Sequence, residues 1–156
     1  LLRISKMTDY GVLVLNNMVD AGAVKLTTDD LVRATKLSIP TIRRVMKALS
    51  DAGLVIAQRG AKGGYRLARS AGQIRILDVV QAFEGPISLT ECTSEDVQCE
   101  IIDSCSLPNN WSGINQLLVR ILANISLQDL RHPERQKQLM KSTSQMNSFI
   151  ELVSVS

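Results

Sequence analysis

Aromatic side chains are scarce here: one Trp, two Tyr and two Phe, 3% of the 156 residues, so an aliphatic core is expected. Histidine is scarcer still, with His132 the only one. With no nucleophile and base paired in the sequence, an enzyme with a small-molecule substrate has little behind it. No run of about 18 apolar residues occurs, and the apolar stretch from Gly11 to Leu15 is soon interrupted by Asn16 and Asn17. Neither a signal segment nor a membrane helix is expected, which implies no membrane partner and a cytoplasmic location. Three cysteines are an odd number that cannot be closed into internal disulfides. A reducing compartment suits thiols kept for metal rather than for bridges. The length suffices for one domain with a real core, or a small domain with an appended dimer element.

Charge is unevenly placed. Up to Gly72 there are twelve Lys and Arg against five acids, a net +7, while the remainder carries −4. A basic half joined to an acidic half implies that only the first half meets a polyanion. Within it, Met7, Val12, Leu15 and Val19 recur at helical spacing from Ile4 to Val19, and Gly22 breaks that helix. Thr27 or Thr28 caps a second helix to about Lys36, with Asp29 and Asp30 where the dipole favours acids. Ser38, or the residue beside it, caps a third, with Pro40 in its first turn and Gly53 as its left-handed stop.

Two short helices across a tight turn make a helix-turn-helix. Ile42, Val45, Met46 and Leu49 form the buried face of the third helix, which leaves Thr41, Arg43, Arg44 and Lys47 facing outward near the end that such helices insert into the major groove. A solvated charged face is the plainer alternative. Against it, Leu54 to Gln58 and Tyr65 to Ala68 read as two strands around a glycine-rich tip, Arg59 to Gly64, which carries Arg59 and Lys62. A hairpin directly after a recognition helix is a wing. Its glycines allow close approach to a phosphate backbone, and an Arg at its base can enter a narrow minor groove. A nucleotide-phosphate loop is a poor competitor, because no Lys-Ser/Thr follows the glycines and no helix starts there. Ile74 to Phe83 reads as a short strand turning into a helix under the wing, ended by Gly85-Pro86.

Cys92, Cys99 and Cys105 then fall in an acidic, Ser/Thr-dotted stretch. Three thiolates on such a loop can converge on one metal centre, and soft thiolates select an iron–sulfur cluster, zinc or copper(I). Incidental cytosolic cysteines are the bland alternative. Beyond them, Asn109 or Asn110 caps the longest helix, with Trp111, Ile114, Leu117, Leu118, Ile121, Leu122, Ile125 and Leu130 at spacings of three and four. So wide a stripe exceeds what one helix buries at home; it reads as a dimer interface centred on Trp111, Ile114, Leu118, Ile121 and Ile125 rather than an internal core helix. After His132-Pro133 a polar helix with Leu139, Met140, Met146 and Phe149 is expected. The expected fold is mainly α with a small β wing. It comprises a winged helix-turn-helix DNA-binding domain over 1–85, the cysteine-containing loop over 86–109, and a dimerisation helix with a helical tail over 110–156.

The opening Leu2-Arg-Ile-Ser-Lys-Met-Thr-Asp-Tyr-Gly11, the Ser38-Ile-Pro-Thr-Ile-Arg-Arg44 stretch, Gly53-Leu-Val, Arg59-Gly-Ala-Lys-Gly-Gly-Tyr-Arg-Leu67 and three cysteines before a long helix occur together. With these the chain resembles the Rrf-two family of bacterial winged-helix regulators, the group of IscR and NsrR, over essentially its whole length. Its opening and reading helix look most like the branch that regulates the SUF iron–sulfur assembly system.

The resemblance implies a homodimeric transcriptional regulator, a repressor of iron–sulfur assembly genes, bound to a double-stranded DNA operator. It also implies an iron–sulfur cluster, 2Fe-2S or 4Fe-4S, held by Cys92, Cys99 and Cys105. The family's usual spacing is five and five residues, whereas six lie between the first two cysteines here. IscR proteins take a fourth ligand from a histidine two residues after the last cysteine, where this chain has Leu107. NsrR-like members use an aspartate in the first helix of the other subunit, a position that Asp9 matches. The expected DNA contacts are Ser38, Thr41, Arg43 and Arg44 in the major groove with Lys47 beside them, Arg59 in the minor groove, and Lys62 and Tyr65 on phosphate. A thiol- or zinc-based redox sensor on the same fold, or a clusterless protein-interaction module, are the competing functions.

Overall fold

The computed structural model describes residues 4–60, 63–89, 108–132 and 134–135, except the side chains of 108–110. The first helix, α1 (Lys6–Ala21), starts where the Ser5 hydroxyl accepts a hydrogen bond from the Thr8 amide at 3.3 Å. It buries Thr8, Gly11, Val14, Leu15 and Met18, one face at helical spacing. Gly11 lies in that face because a side chain there would strike Phe83: a Cβ would stand 2.3 Å from the ring.

Helix α2 (Thr28–Thr35) opens with a capping box in which the Thr27 hydroxyl accepts from the Asp30 amide, while the Asp30 carboxylate accepts from the Thr27 amide. Hydrogen bonds to that carboxylate from the Thr27 hydroxyl, at 2.7 Å, and then the Thr27 amide, helped by the Arg33 guanidinium, lower the Asp30 pKa to about 2. Lys36 ends the helix in the left-handed region at φ 61°. Helix α3 (Ile39–Asp51) is capped by Ser38 and buries Ile42, Val45, Met46 and Leu49, the four residues its periodicity assigned to the core.

Strands β1 (Val55–Gln58) and β2 (Gly64–Leu67) pair antiparallel, Val55 opposite Leu67 and Gln58 opposite Gly64. They lie within one residue of the expected hairpin arms. Leu26 adds a third rung: its amide donates to the Tyr65 carbonyl at 3.0 Å and its carbonyl accepts from the Tyr65 amide at 2.8 Å. This ties the wing to the entrance of α2.

Helix α4 (Ile76–Glu84) departs from expectation in two ways. No strand precedes it; Arg75 makes only an isolated bridge to Ser126. It packs chiefly on α1, α3 and α5 rather than under the wing, because Val79 and Val80 turn into the helical core. The long helix is also shorter than expected. Helix α5 (Pro108–Asn124) has Pro108 as its first residue in place of an Asn cap, and it stops before Ile125. The Ile125 carbonyl leaves the helical ladder to accept from the Ile76 amide at 2.9 Å, and Ser126 caps a new short helix, α6 (Leu127–Leu130). The apolar periodicity from Trp111 to Leu130 thus runs across a break. The tail beyond Arg135, with Leu139, Met140, Met146 and Phe149, lies outside the described residues.

One core joins these elements. Leu15, Leu31, Ile42, Met46, Leu49, Leu54 and Ile74 are fully buried, and so is Leu127, delivered from α6. Among the described residues no helix is long and apolar enough to cross a membrane.

Candidate nucleic-acid interface

With one face of α3 committed to the core, Ile39, Pro40, Arg43, Arg44 and Lys47 remain exposed. The wing folds alongside this face, leaving an open cleft of about 520 Å³. Arg43, Met46, Lys47 and Ser50 line it from α3, Thr27 and Thr28 from the start of α2, and Ala57, Gln58, Arg59, Gly63, Gly64 and Tyr65 from the hairpin. Three of the expected DNA-contacting cations, Arg43, Lys47 and Arg59, therefore face one concavity. Ser50 Oγ is buried without a hydrogen-bond partner among the described residues.

Each side chain has its own local setting. Ser38 and Thr41 hydroxyls are 2.8 Å apart, and Ser38 Oγ accepts from the Thr41 amide at 3.4 Å, so both are partly engaged in starting the helix. Lys47 reaches Asp51 one turn on, at 2.5 Å, with both side chains largely in water. Such an exposed pair is worth about 0–1 kcal/mol and yields easily to a phosphate. Tyr65 packs its ring against the core from β2 and borders the cleft. Arg59 is exposed at the root of the hairpin tip. Gly63 is needed just beyond it, since a Cβ there would lie 2.5 Å from the Gln58 carbonyl oxygen. Lys62 lies outside the described residues.

The residues expected to hold metal are divided. Cys92, Cys99 and Cys105 fall outside the described residues, and among the described ones no three His, Cys, Asp or Glu side chains gather into a metal cage. Asp9 is exposed in the first turn of α1, without an ion-pair partner among the described residues. Its neighbour Thr8 donates to the Glu84 carboxylate, which also accepts from the Ser5 amide at 3.1 Å. These hydrogen bonds, from Ser5 and then Thr8, hold the Glu84 carboxyl below the usual range. They fix the start of α1 beside the end of α4, the point from which the cysteine-bearing segment departs.

On α5, Trp111, Ile114, Leu117 and Ile121 are exposed, between 37% and 50%, with Leu118 half-buried among them. Ile125, expected in the same stripe, lies past the end of the helix. Two ties escaped the sequence reading. Asn115 on α5 donates to the Ile87 carbonyl and accepts from the Leu89 amide, both at 3.1 Å, pinning the root of the cysteine segment. No local pattern announces a contact 26 and 28 residues away. The Ser126 to Asp129 capping box that starts α6 was legible as Ser-x-x-Asp, but the apolar stripe running through it masked the boundary.

Comparison with known proteins agrees with this architecture. The family described as Rrf2, iron-dependent transcriptional regulator, matches residues 4–133. Protein aau3 of Rhizobium meliloti (strain 1021) is 29% identical over 130 residues, 83% of this chain and 84% of that protein. The structure of CymR, the global cysteine regulator of B. subtilis, is similar with a TM-score of 0.63 and 26% identity, covering 83% of this chain and 96% of its own. T. potens IscR shares the fold, with a TM-score of 0.62 at 24% identity over 88% of this chain and 91% of its own. Proteins of this kind are transcriptional regulators rather than enzymes; they bind DNA and are typically dimers. A winged helix-turn-helix reader followed by a long helix, matched by the family over most of its length, belongs to the Rrf2 (Rrf-two) family of transcriptional regulators.

Proposed function

We propose that this chain is a homodimeric, cytoplasmic repressor of iron–sulfur assembly genes of the SUF type, whose operator affinity follows the state of an iron–sulfur cluster. The observation that carries the DNA-reading half is the single cleft in which Arg43 and Lys47 of α3 face Arg59 of the wing. In this reading Ser38, Thr41, Arg43 and Arg44 meet base edges and flanking phosphates in the major groove, and Arg59 enters the minor groove. Lys47, Lys62 and Tyr65 meet the backbone, where positive charge releases counterions. Two reading helices one helical turn apart require a dimer. The stripe of exposed Trp111, Ile114 and Ile121 with half-buried Leu118 among them supplies an apolar face for it.

Cys92, Cys99, Cys105 and the partner subunit's Asp9 are the residues that would hold a 2Fe-2S or 4Fe-4S cluster. Three thiolates suit iron–sulfur chemistry, and Asp9 is exposed in the first turn of α1, open to a second subunit. When bound, the cluster supplies sensitivity to iron and redox state.

The test is operator-fragment binding together with iron and acid-labile sulfide content on anaerobically purified protein, wild type beside Asp9→Ala and Arg59→Ala. Arg59→Ala should lower specific affinity with its cluster intact, and Asp9→Ala should yield a labile or altered cluster with a matching change in affinity. Unchanged operator binding by Arg59→Ala removes the wing assignment. No iron in any preparation, with DNA binding retained, removes the cluster and leaves the winged-helix reader.

A further inference from the structure

One apolar residue on α3 has no role in the fold described so far. Ile39 is 43% exposed at the first position of the helix, and among the described residues it is the only large apolar side chain of α3 left in water. Pro40 beside it has a local reason to be there, since its fixed φ starts the helix and its missing N–H would have been unpaired. Ile39 has no such reason. A polar residue would serve the first turn as well and would avoid the exposure.

Its position is informative. Ile39 and Arg43 are one turn apart on the same side of the helix, and the Arg43 side continues through Met46 and Ser50 along the cleft. Side chains on a helix lean toward its N-terminus, so Ile39 projects past the start of α3, the end that enters the groove. Its branched Cβ restricts χ1, which presents the side chain as a fixed apolar knob. The major groove offers one apolar marker, the thymine C5 methyl, next to the acceptor edge of guanine that suits arginine.

We infer that Ile39 is a specificity-determining residue that reads a thymine methyl in each half-site, within about two base pairs of the one met by Arg43. This rests on the DNA-reading function proposed above. Covering one methyl group should be worth about fourfold in affinity.

The experiment uses the full-length dimer. Bound duplexes are selected from a random-sequence library with wild type, Ile39→Ala and Ile39→Val, and each thymine of the wild-type site is then replaced singly by deoxyuridine, which removes only the methyl. Wild type should lose about fourfold at one symmetry-related thymine pair. Ile39→Ala should select sites with no preference there and bind thymine and uracil forms equally. Ile39→Val, which keeps part of the knob, should retain part of the penalty, and it carries the test if the alanine variant binds too weakly to measure. An equal uracil penalty in wild type and both variants, or no thymine that responds, overturns the role of Ile39 while leaving the reader in place. If wild-type protein enriches no sequence, the DNA-reading function itself fails.

Discussion

Replacing Leu127 by alanine tests whether the segment after α5 belongs to the reading head. Leu127 is fully buried in the same core as Leu15 and Ile74, although it follows α5 in the chain. Removing a buried leucine to Cβ costs about 2–5 kcal/mol, the spread depending on how far the surroundings collapse into the cavity. Collapse is restricted here. The Leu127 amide donates to the Ile74 carbonyl at 2.8 Å, and the Ile125 carbonyl holds the Ile76 amide at 2.9 Å. Ser126 is additionally fixed by its box with Asp129. With the backbone pinned on both sides, the cost falls in the upper half of the range, about 3–5 kcal/mol. That is a large part of the roughly 5–15 kcal/mol that holds a domain of this size. Urea unfolding at one fixed protein concentration, so that dimerisation contributes equally, should show a lower midpoint with an unchanged slope. Val24→Ala, at a residue 67% exposed, serves as the control and should stay within about 0.5 kcal/mol of wild type. A loss below about 1 kcal/mol for Leu127→Ala would refute the reasoning, because a plug that is truly in the core cannot be removed so cheaply.

Three further outcomes are expected. Gly11→Ala drives a methyl into Phe83, with a Cβ placed 2.3 Å from the ring; overpacking should cost about 1–3 kcal/mol in urea unfolding, and Phe83→Leu in the same chain should recover part of it. The Asp30 carboxyl has its pKa lowered from 3.8 to about 2, so the stability it contributes is fully present above pH 3.8 and lost as pH falls through about 2. Asp30→Asn should flatten the acid limb of the stability profile in that window, and an unchanged limb would disprove the assignment. Ile114, half exposed on α5, should lie within the dimer interface. Ile114→Glu should raise the dimer dissociation constant about tenfold or more by burying a charge, read by sedimentation, while a dimer as tight as wild type would remove the stripe from the interface.

What the sequence disclosed and what it hid divide along the distance between partners. Local signals were sound. Ser38 or its neighbour, with Pro40, placed the start of α3, Thr27 or Thr28, with Asp29 and Asp30, that of α2, and the glycine-bounded strands marked the wing within a residue. The buried face of α3 followed from a period of 3.6. The break at Ile125 did not, because apolar residues continue at helical spacing on both sides of it, and only the pairing of Ile125 and Leu127 with Ile76 and Ile74 interrupts the ladder. The strand expected at Ile74 failed for the same reason: its β-branched run is buried by α-helices and bonded to a single bridge. At the candidate site the cations were legible as types and positions. Their convergence on one cleft was not, since it depends on Leu26 pairing with Tyr65 to fix the wing's angle.

These long-range bonds also decide how the rest of the chain can act on the reader. The segment that carries the cysteines leaves the winged-helix domain at Glu84, which Ser5 and Thr8 hold against the start of α1. The chain returns from α5 at Ile125 to Gln128, where three backbone hydrogen bonds run to Ala71, Ile74 and Ile76. Arg131 then donates to the Asn16 carbonyl at 2.9 Å and pairs with Asp20, fastening the return to the far end of α1. Helix α1 is therefore gripped near both ends, once beside the departure and once beside the return. Asn115 closes the arrangement by clipping Ile87 and Leu89 to α5. Both described roots of the cysteine segment are thus tied by hydrogen bonds, to α1 on one side and to α5 on the other. Since α1 packs directly on α2 and α3, close-packed side chains join these anchor points to the reading helix.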